Sequence, residues 1–222
     1  MRVDITGIIG VPGDRRDNAV NQGTGSRPLE GQDVGVTAFD LDEFIASCVA
    51  ALEGSEPVAA LSHLVERAVS DPAKLDAAFP VPVDPSDDGV LYSSPTLFVA
   101  QGLFPRGFST GIHDHTVSAV IGTWAGYEDN QLFRRTTSGI ERTQMRRVHA
   151  GEVLVLDANA IHEVHAPSTT WSAALHVYLG DITARKRSSW VDEDASASPF
   201  DGVDMEARWM EAATATGLVR ET

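Results

Sequence analysis

Two short stretches of the chain carry residues whose types and spacing could do chemistry together: His113-Asp114-His115, and His162 within Ile161-His162-Glu163-Val164. Alternate side chains of an extended strand share a face, so His113 and His115 point the same way. A third imidazole from another strand, His162, would complete a facial set of three neutral nitrogen donors able to hold a transition metal. His165 is three residues from His162 and faces the other way on the same strand. His149 precedes Ala150-Gly151 in a turn and reads as a surface residue, and His63 sits in a helical stretch with no second ligand type nearby.

A second pair, His176 and Tyr178, is also two residues apart, with Leu175 and Val177 on the opposite face. Such a pair can be buried for its hydrogen bond alone. It can also present a phenolic proton to a reacting centre while the imidazole fixes its orientation. No Ser-His-Asp or cysteine-based nucleophile stands out, because Cys48 lies in a helical stretch without an implied histidine partner. Gly102, Gly107 and Gly111 read as strand-end and bulge glycines, and none opens a phosphate-cradling loop followed by a helix.

These groups must be positioned by strands. Segments 90–92, 96–104, 109–113, 117–126, 131–137, 141–148, 152–156, 161–166 and 172–179 have strand character, separated by turn chemistry such as residues 127–130 and Ser138-Gly139. Many short strands with almost no helix between them imply antiparallel sheets closed as a sandwich or barrel. Ahead of them the period is helical. Asp40 caps a helix that buries Leu41, Phe44, Ile45, Cys48 and Val49. A second helix opens at Pro57 and carries Ala60, Leu61, Leu64, Val65 and Val69 inward, and Asp71-Pro72 starts a short third one ending near Phe79. Residues 181–200 read as a surface loop containing the basic cluster Arg185-Lys186-Arg187. Residues 201–216 then form a helix with Val203, Ala207 and Met210 on one side, packed on the barrel or on a second subunit.

At 222 residues and 42% hydrophobic the chain can bury a sizeable core. Seventeen basic against 32 acidic residues leave a net charge of -15, which repels nucleic acid and anionic membranes. The single cysteine excludes an intramolecular disulfide and fits the cytoplasm. The apolar run at residues 5–12 lacks the length and charge pattern of a signal peptide, and no stretch is long enough to cross a bilayer.

The spacing from Gly151 through Asp157 and Asn159 to His162 resembles the second motif of the cupin superfamily, with Asp157 and Asn159 where Pro and Gly are usual. His113-x-His115 followed by Gly126 resembles the first motif without its glutamate, since Ser118, Ala119 and Val120 occupy those positions. A more detailed resemblance, over residues 92–178, is to cysteine dioxygenase and its bacterial relatives. It is carried by Phe104-Pro-Arg-Gly-Phe-Ser-Thr-Gly-Ile-His-Asp-His-Thr and by Ala174-Leu-His176-Val-Tyr178. The family's serine before that histidine is Ala174 here, and its crosslinking cysteine position is Val120.

What the resemblance implies is an all-β core folded as a cupin double-stranded β-helix, or jelly-roll barrel, with N-terminal helices and a C-terminal helix. The expected organisation is a flexible segment over 1–36, a helical cap over 37–88, the barrel over 89–180, and a loop and helix over 181–222. His113, His115 and His162 would hold Fe(II), although imidazole serves other divalent transition metals equally well. Tyr178 and His176 would be the catalytic pair of a dioxygenase that oxidises a small thiol to a sulfinate with O2. The alternatives are a cupin enzyme with another metal or a non-thiol substrate, and a non-catalytic ligand-binding cupin. The expected partners are thus a small molecule and O2, and a homodimer is one assembly left open. Cysteine-specific family members clamp the substrate carboxylate with an arginine on the strand before the first motif, and residues 91–95 hold none. Tyr92, Gln101 and Arg106 are the substrate-binding candidates left, and free cysteine is expected to be a poor substrate.

Overall fold

A computed structural model describes residues 39–84, 86–166 and 171–219. The lead-in expected over 1–36 lies outside the described residues.

The barrel is built around β9 (Ser172–Tyr178), every residue of which is buried. Its alternation separates two cores: Leu175 and Val177 join the cluster beneath the helices, whereas Ala174 and Tyr178 join the cluster inside the barrel. Two strands flank it antiparallel, β2 (Phe98–Phe104) and β4 (Ala119–Ala125). With β1 (Val90–Ser93) and β7 (Val153–Leu156) they make a five-stranded sheet in the order β1-β2-β9-β4-β7. The facing sheet is assembled from β3 (Ile112–Asp114), β5 (Tyr127–Arg135), β6 (Ile140–His149), β8 (Ile161–His165), β10 (Ser188–Trp190) and β11 (Ser198–Pro199). Its order is β11-β10-β3-β8-β5-β6. Two antiparallel sheets around one interior, with helices outside, make the jelly-roll β-barrel with flanking helices that the residue pattern implies.

Three N-terminal helices cover the outer face of the first sheet: α1 (Leu41–Ala51), α2 (Pro57–Val69) and α3 (Pro72–Ala78). Asp40 caps α1, accepting from the Glu43 N–H at 3.0 Å. Phe44 and Cys48 of α1 are buried, but Val49 is 39% exposed, so the inward stripe is narrower than expected. Asp71 precedes α3 without a side-chain cap. The approach of α2 to β4 depends on Gly122, where a Cβ would stand 2.3 Å from the Val65 side chain and 2.8 Å from that of Val69.

Several expectations are corrected. Residues 127–130 are the first part of β5 and not a turn; the reversal is made at Gly126, whose φ of 64° suits glycine. The surface loop expected over 181–200 contains β10 and β11, and β10 pairs with β3 through Ser189↔His113. The last helix, α4 (Gly202–Ala215), turns Met205, Trp209 and Ala213 toward the barrel. Val203 is 59% exposed and Ala207 is exposed as well. The Trp209 indole N–H donates to the Leu103 carbonyl, and Arg208 Nη1 donates to the Ser109 carbonyl at 3.0 Å. The helix therefore docks on β2 and on the approach to β3. Among the described residues no helix is long and apolar enough to cross a membrane.

Candidate metal centre

Strand pairing brings the three imidazoles together. β3 and β8 are antiparallel neighbours in the register His113↔His162, which sets those side chains beside each other on the inner face. His115 follows β3 directly, at the same side-chain parity as His113, and Thr116 after it takes a φ of 59°, an uncommon conformation for a non-glycine residue. The His113 and His115 Nε2 atoms are 3.1 Å apart, and those of His162 and His115 are 3.2 Å apart. Such separations let all three Nε2 atoms reach one ion with metal–nitrogen bonds of about 2.1 Å.

The rear nitrogens explain why the Nε2 atoms face inward. His113 Nδ1–H donates to the Gly111 carbonyl at 2.9 Å, and His162 Nδ1–H donates to Asn130 Oδ1 at 3.0 Å, which leaves each Nε2 lone pair free. All three rings are almost fully buried. Burial is the main reason the His113 pKa falls to about 3, with the Arg187 charge adding to it. Burial, the neighbouring imidazoles and Arg187 likewise hold His115 and His162 well below the ordinary histidine value. Neutral and converging, two of them oriented from behind, the three donors fit a divalent transition metal, and as a cluster they could hold one.

His176 and Tyr178 lie on β9, in the five-stranded sheet across the barrel from β3 and β8. Tyr178 O–H and His176 Nδ1 are 3.0 Å apart, and the Tyr178 ring stands edge-on to His115 with centroids separated by 5.0 Å. Burial pushes the Tyr178 phenol up to about 12 and the His176 imidazole down to about 4, so both are neutral at ordinary pH. The bulk of His176 is accommodated by Gly102, whose missing Cβ would sit 2.3 Å from His176 Nε2. His63 and His165 are exposed and pair with Glu66 and Glu163, away from the three imidazoles.

The substrate-binding candidates are not brought to the site. Gln101 pairs with Leu175 in register and shares its face, which is the outer face of the sheet. Tyr92 packs against the same outer core beneath the helices, and Arg106 is exposed in the turn after β2. The cation that does reach the site is Arg187, within the basic cluster that reads as surface loop. The Asp114 carboxylate, between the two ligand histidines, accepts from the Ser188 N–H at 2.8 Å and pairs with Arg135 at 2.6 Å. Arg187 Nε donates to the Asp114 carbonyl at 3.0 Å, and its guanidinium stacks 3.9 Å from the centroid of Phe200, whose ring lies 5.6 Å from that of His113. No carboxylate among the described residues pairs with it. The expectation that cysteine is a poor substrate rests on residues 91–95 holding no arginine, and Arg187 comes near the imidazoles from another part of the chain. Arg187 stands directly before β10, which pairs with β3. The only sequence signal was a basic cluster in an acidic chain.

No family model matches the chain, and no curated protein matches it. Solved structures do. Oxalate oxidase in complex with the substrate analogue glycolate is 17% identical over 38% of this chain and 42% of its own, with a TM-score of 0.35. An RmlC-like cupin family protein with a double-stranded β-helix fold, from Methanocaldococcus jannaschii, is 11% identical over 41% of this chain and 77% of its own, with a TM-score of 0.36. DMSP lyase DddQ from Ruegeria pomeroyi DSS-3 is 16% identical over 46% of this chain and 47% of its own, with a TM-score of 0.37. The chain thus spans less than half the length of the oxalate oxidase and of the lyase, and the chemistry has to be read from its own residues.

Proposed function

We propose that the chain is an Fe(II)-dependent, cupin-type dioxygenase that oxidises a small thiol to its sulfinate. The observation that carries this reading is a face of three neutral imidazoles with no carboxylate among them, opposed by a buried tyrosine–histidine pair. It is supported by the resemblance of residues 104–116 and 174–178 to thiol dioxygenases. A bound ferrous ion would supply open coordination positions and the electron chemistry that dioxygen requires. In the overall reaction a thiolate and O2 give a sulfinate, so both oxygen atoms end on sulfur and sulfur alone is oxidised.

The chain's own residues bind, orient and handle a proton. Tyr178 keeps its phenolic proton near neutrality and presents it at the site, while His176 Nδ1 fixes the hydroxyl. Phe200 and Tyr178 narrow the space around the imidazoles and exclude water. Arg187 supplies a positive charge that makes no ion pair with a carboxylate among the described residues, Asp114 acting on it only at longer range, and this favours a thiol that also carries an anionic group.

The experiment is metal analysis of protein purified without chelators, then ferrous reconstitution and oxygen uptake with cysteine, cysteamine and mercaptopropionate. Sulfinate is identified by mass spectrometry. The two carboxylate-bearing thiols should exceed cysteamine in kcat/KM, and Arg187→Gln should reduce that advantage about tenfold or more, as expected for a lost charge-assisted contact. Iron-loaded protein that consumes oxygen with none of these thiols would sink the thiol reading. Oxygen uptake with a non-thiol instead would favour a different cupin oxidase.

A further inference from the structure

A cavity of ≈ 350 Å³ lies away from the three imidazoles, between α4 and the edge of β2. β1 pairs with β2 as far as Ala100; beyond it the Gln101 N–H donates to the Gly89 carbonyl at 2.8 Å and the Leu103 carbonyl accepts from the Trp209 indole. Three features of its lining point to one kind of ligand. The apolar part includes the aromatic rings of Phe104, Phe108 and Trp209, with Met205 beside them. Asp87, Asp88 and Glu206 also line it, whereas no basic residue does. Gln101 adds a donor, because its Nε2 is buried and has no hydrogen-bond partner. Close by, His176, 7% exposed, has an Nε2 with no hydrogen-bond partner, directed at Gly102, which lines the same cavity.

We infer that this cavity binds a small alkylammonium compound that also carries a hydroxyl or carbonyl oxygen. Aromatic faces together with carboxylates form the environment in which an alkylated ammonium is held by ring quadrupole and by charge. Such a cation is weakly hydrated for its charge and loses little on leaving water for an apolar lining. The oxygen is required by Gln101, since a buried amide donor left unpaired carries a free-energy penalty that an acceptor removes. Asp87 and Asp88 are exposed and accept from the Gly89 and Val90 N–H groups, and with the exposed Glu206 they give the lining a negative charge that favours a cation and repels an anion. The site takes nothing from the three imidazoles and needs no metal.

The test is calorimetric titration of the metal-free full chain with choline, with tetramethylammonium, which lacks the oxygen, and with dimethylbutanol, the uncharged carbon isostere of choline. Choline should bind saturably and more tightly than either control, with an affinity that falls as salt is raised. Gln101→Leu should weaken choline about fivefold and leave tetramethylammonium unchanged. Glu206→Gln, at an exposed helix position, should weaken both cations about threefold without changing the circular dichroism. Absence of binding, equal affinity for dimethylbutanol, or choline affinity untouched by both substitutions would overturn the inference. Because no metal and no turnover enter the measurement, its outcome is independent of the dioxygenase reading.

Discussion

Glu128 is a carboxyl group sealed inside the barrel, 1% exposed, with Ser172 Oγ as hydrogen-bond donor at 3.2 Å and no basic partner among the described residues. Burial pushes its pKa from 4.5 to about 7, with the Ser172 bond working weakly the other way. The perturbation that isolates it is Glu128→Gln, which keeps the shape and an acceptor for Ser172 while removing the ionisation. A folded-state pKa above the unfolded one means that the folded state holds the proton more tightly. The associated stability is fully present below about pH 4.5 and is lost as the pH rises through about 7. At about 1.4 kcal/mol per pH unit, the interval between 4.5 and about 7 corresponds to a loss on the order of 3 kcal/mol. Urea unfolding of the metal-free wild type and variant, at steps from about pH 4.5 to about pH 8.5, measures it directly. The histidines titrate in both proteins and cancel in the difference. The variant should gain stability relative to wild type steadily across that window and reach a plateau above it. Parallel curves with a constant offset would show that Glu128 ionises in the folded barrel as it does in water, and the argument from burial would fail.

The remaining expectations concern the metal centre. His162→Ala should abolish stoichiometric metal binding, and Asn130→Ala, which frees the rear nitrogen of His162, should weaken it about 10- to 100-fold; His63→Ala and His165→Ala should leave metal content unchanged by elemental analysis. Tyr178→Phe should retain the metal and the fold while turnover falls by about 10²- to 10⁴-fold, and unchanged turnover would leave the His176 pair with a purely structural role. Gly102→Ala forces a methyl group into His176 Nε2, where 2.3 Å is available. It should lower stability by about 1–3 kcal/mol in urea unfolding, and a neutral substitution would mean that the ring has room to swing away.

The residues that could bind a metal, and the kind of scaffold that holds them, were legible without coordinates. Period-two alternation set His113 with His115 and His176 with Tyr178, and it excluded His165, because side-chain direction along a strand is a local property of the backbone. The helix cap at Asp40 is local in the same way. What the tertiary structure alone decided is which face of each strand looks inward and what lies across from it. Gln101 stands one residue from Ala100 and Gly102, yet that single step puts it on the outer face, and only the pairing with Leu175 reveals this. Residues 127–130 carry turn-forming side chains, but they are held extended by ladders to β6 and β8 that begin far along the chain. Arg187 is separated from the ligand histidines by many residues and reaches them only because β10 pairs with β3, an association fixed by the non-local anchor at Asp114. Composition and spacing report what a residue can do within its own turn or strand. Long-range hydrogen bonds and burial decide which of those capacities meet, and here they bring a cation to the metal centre from a stretch that by itself reads as surface.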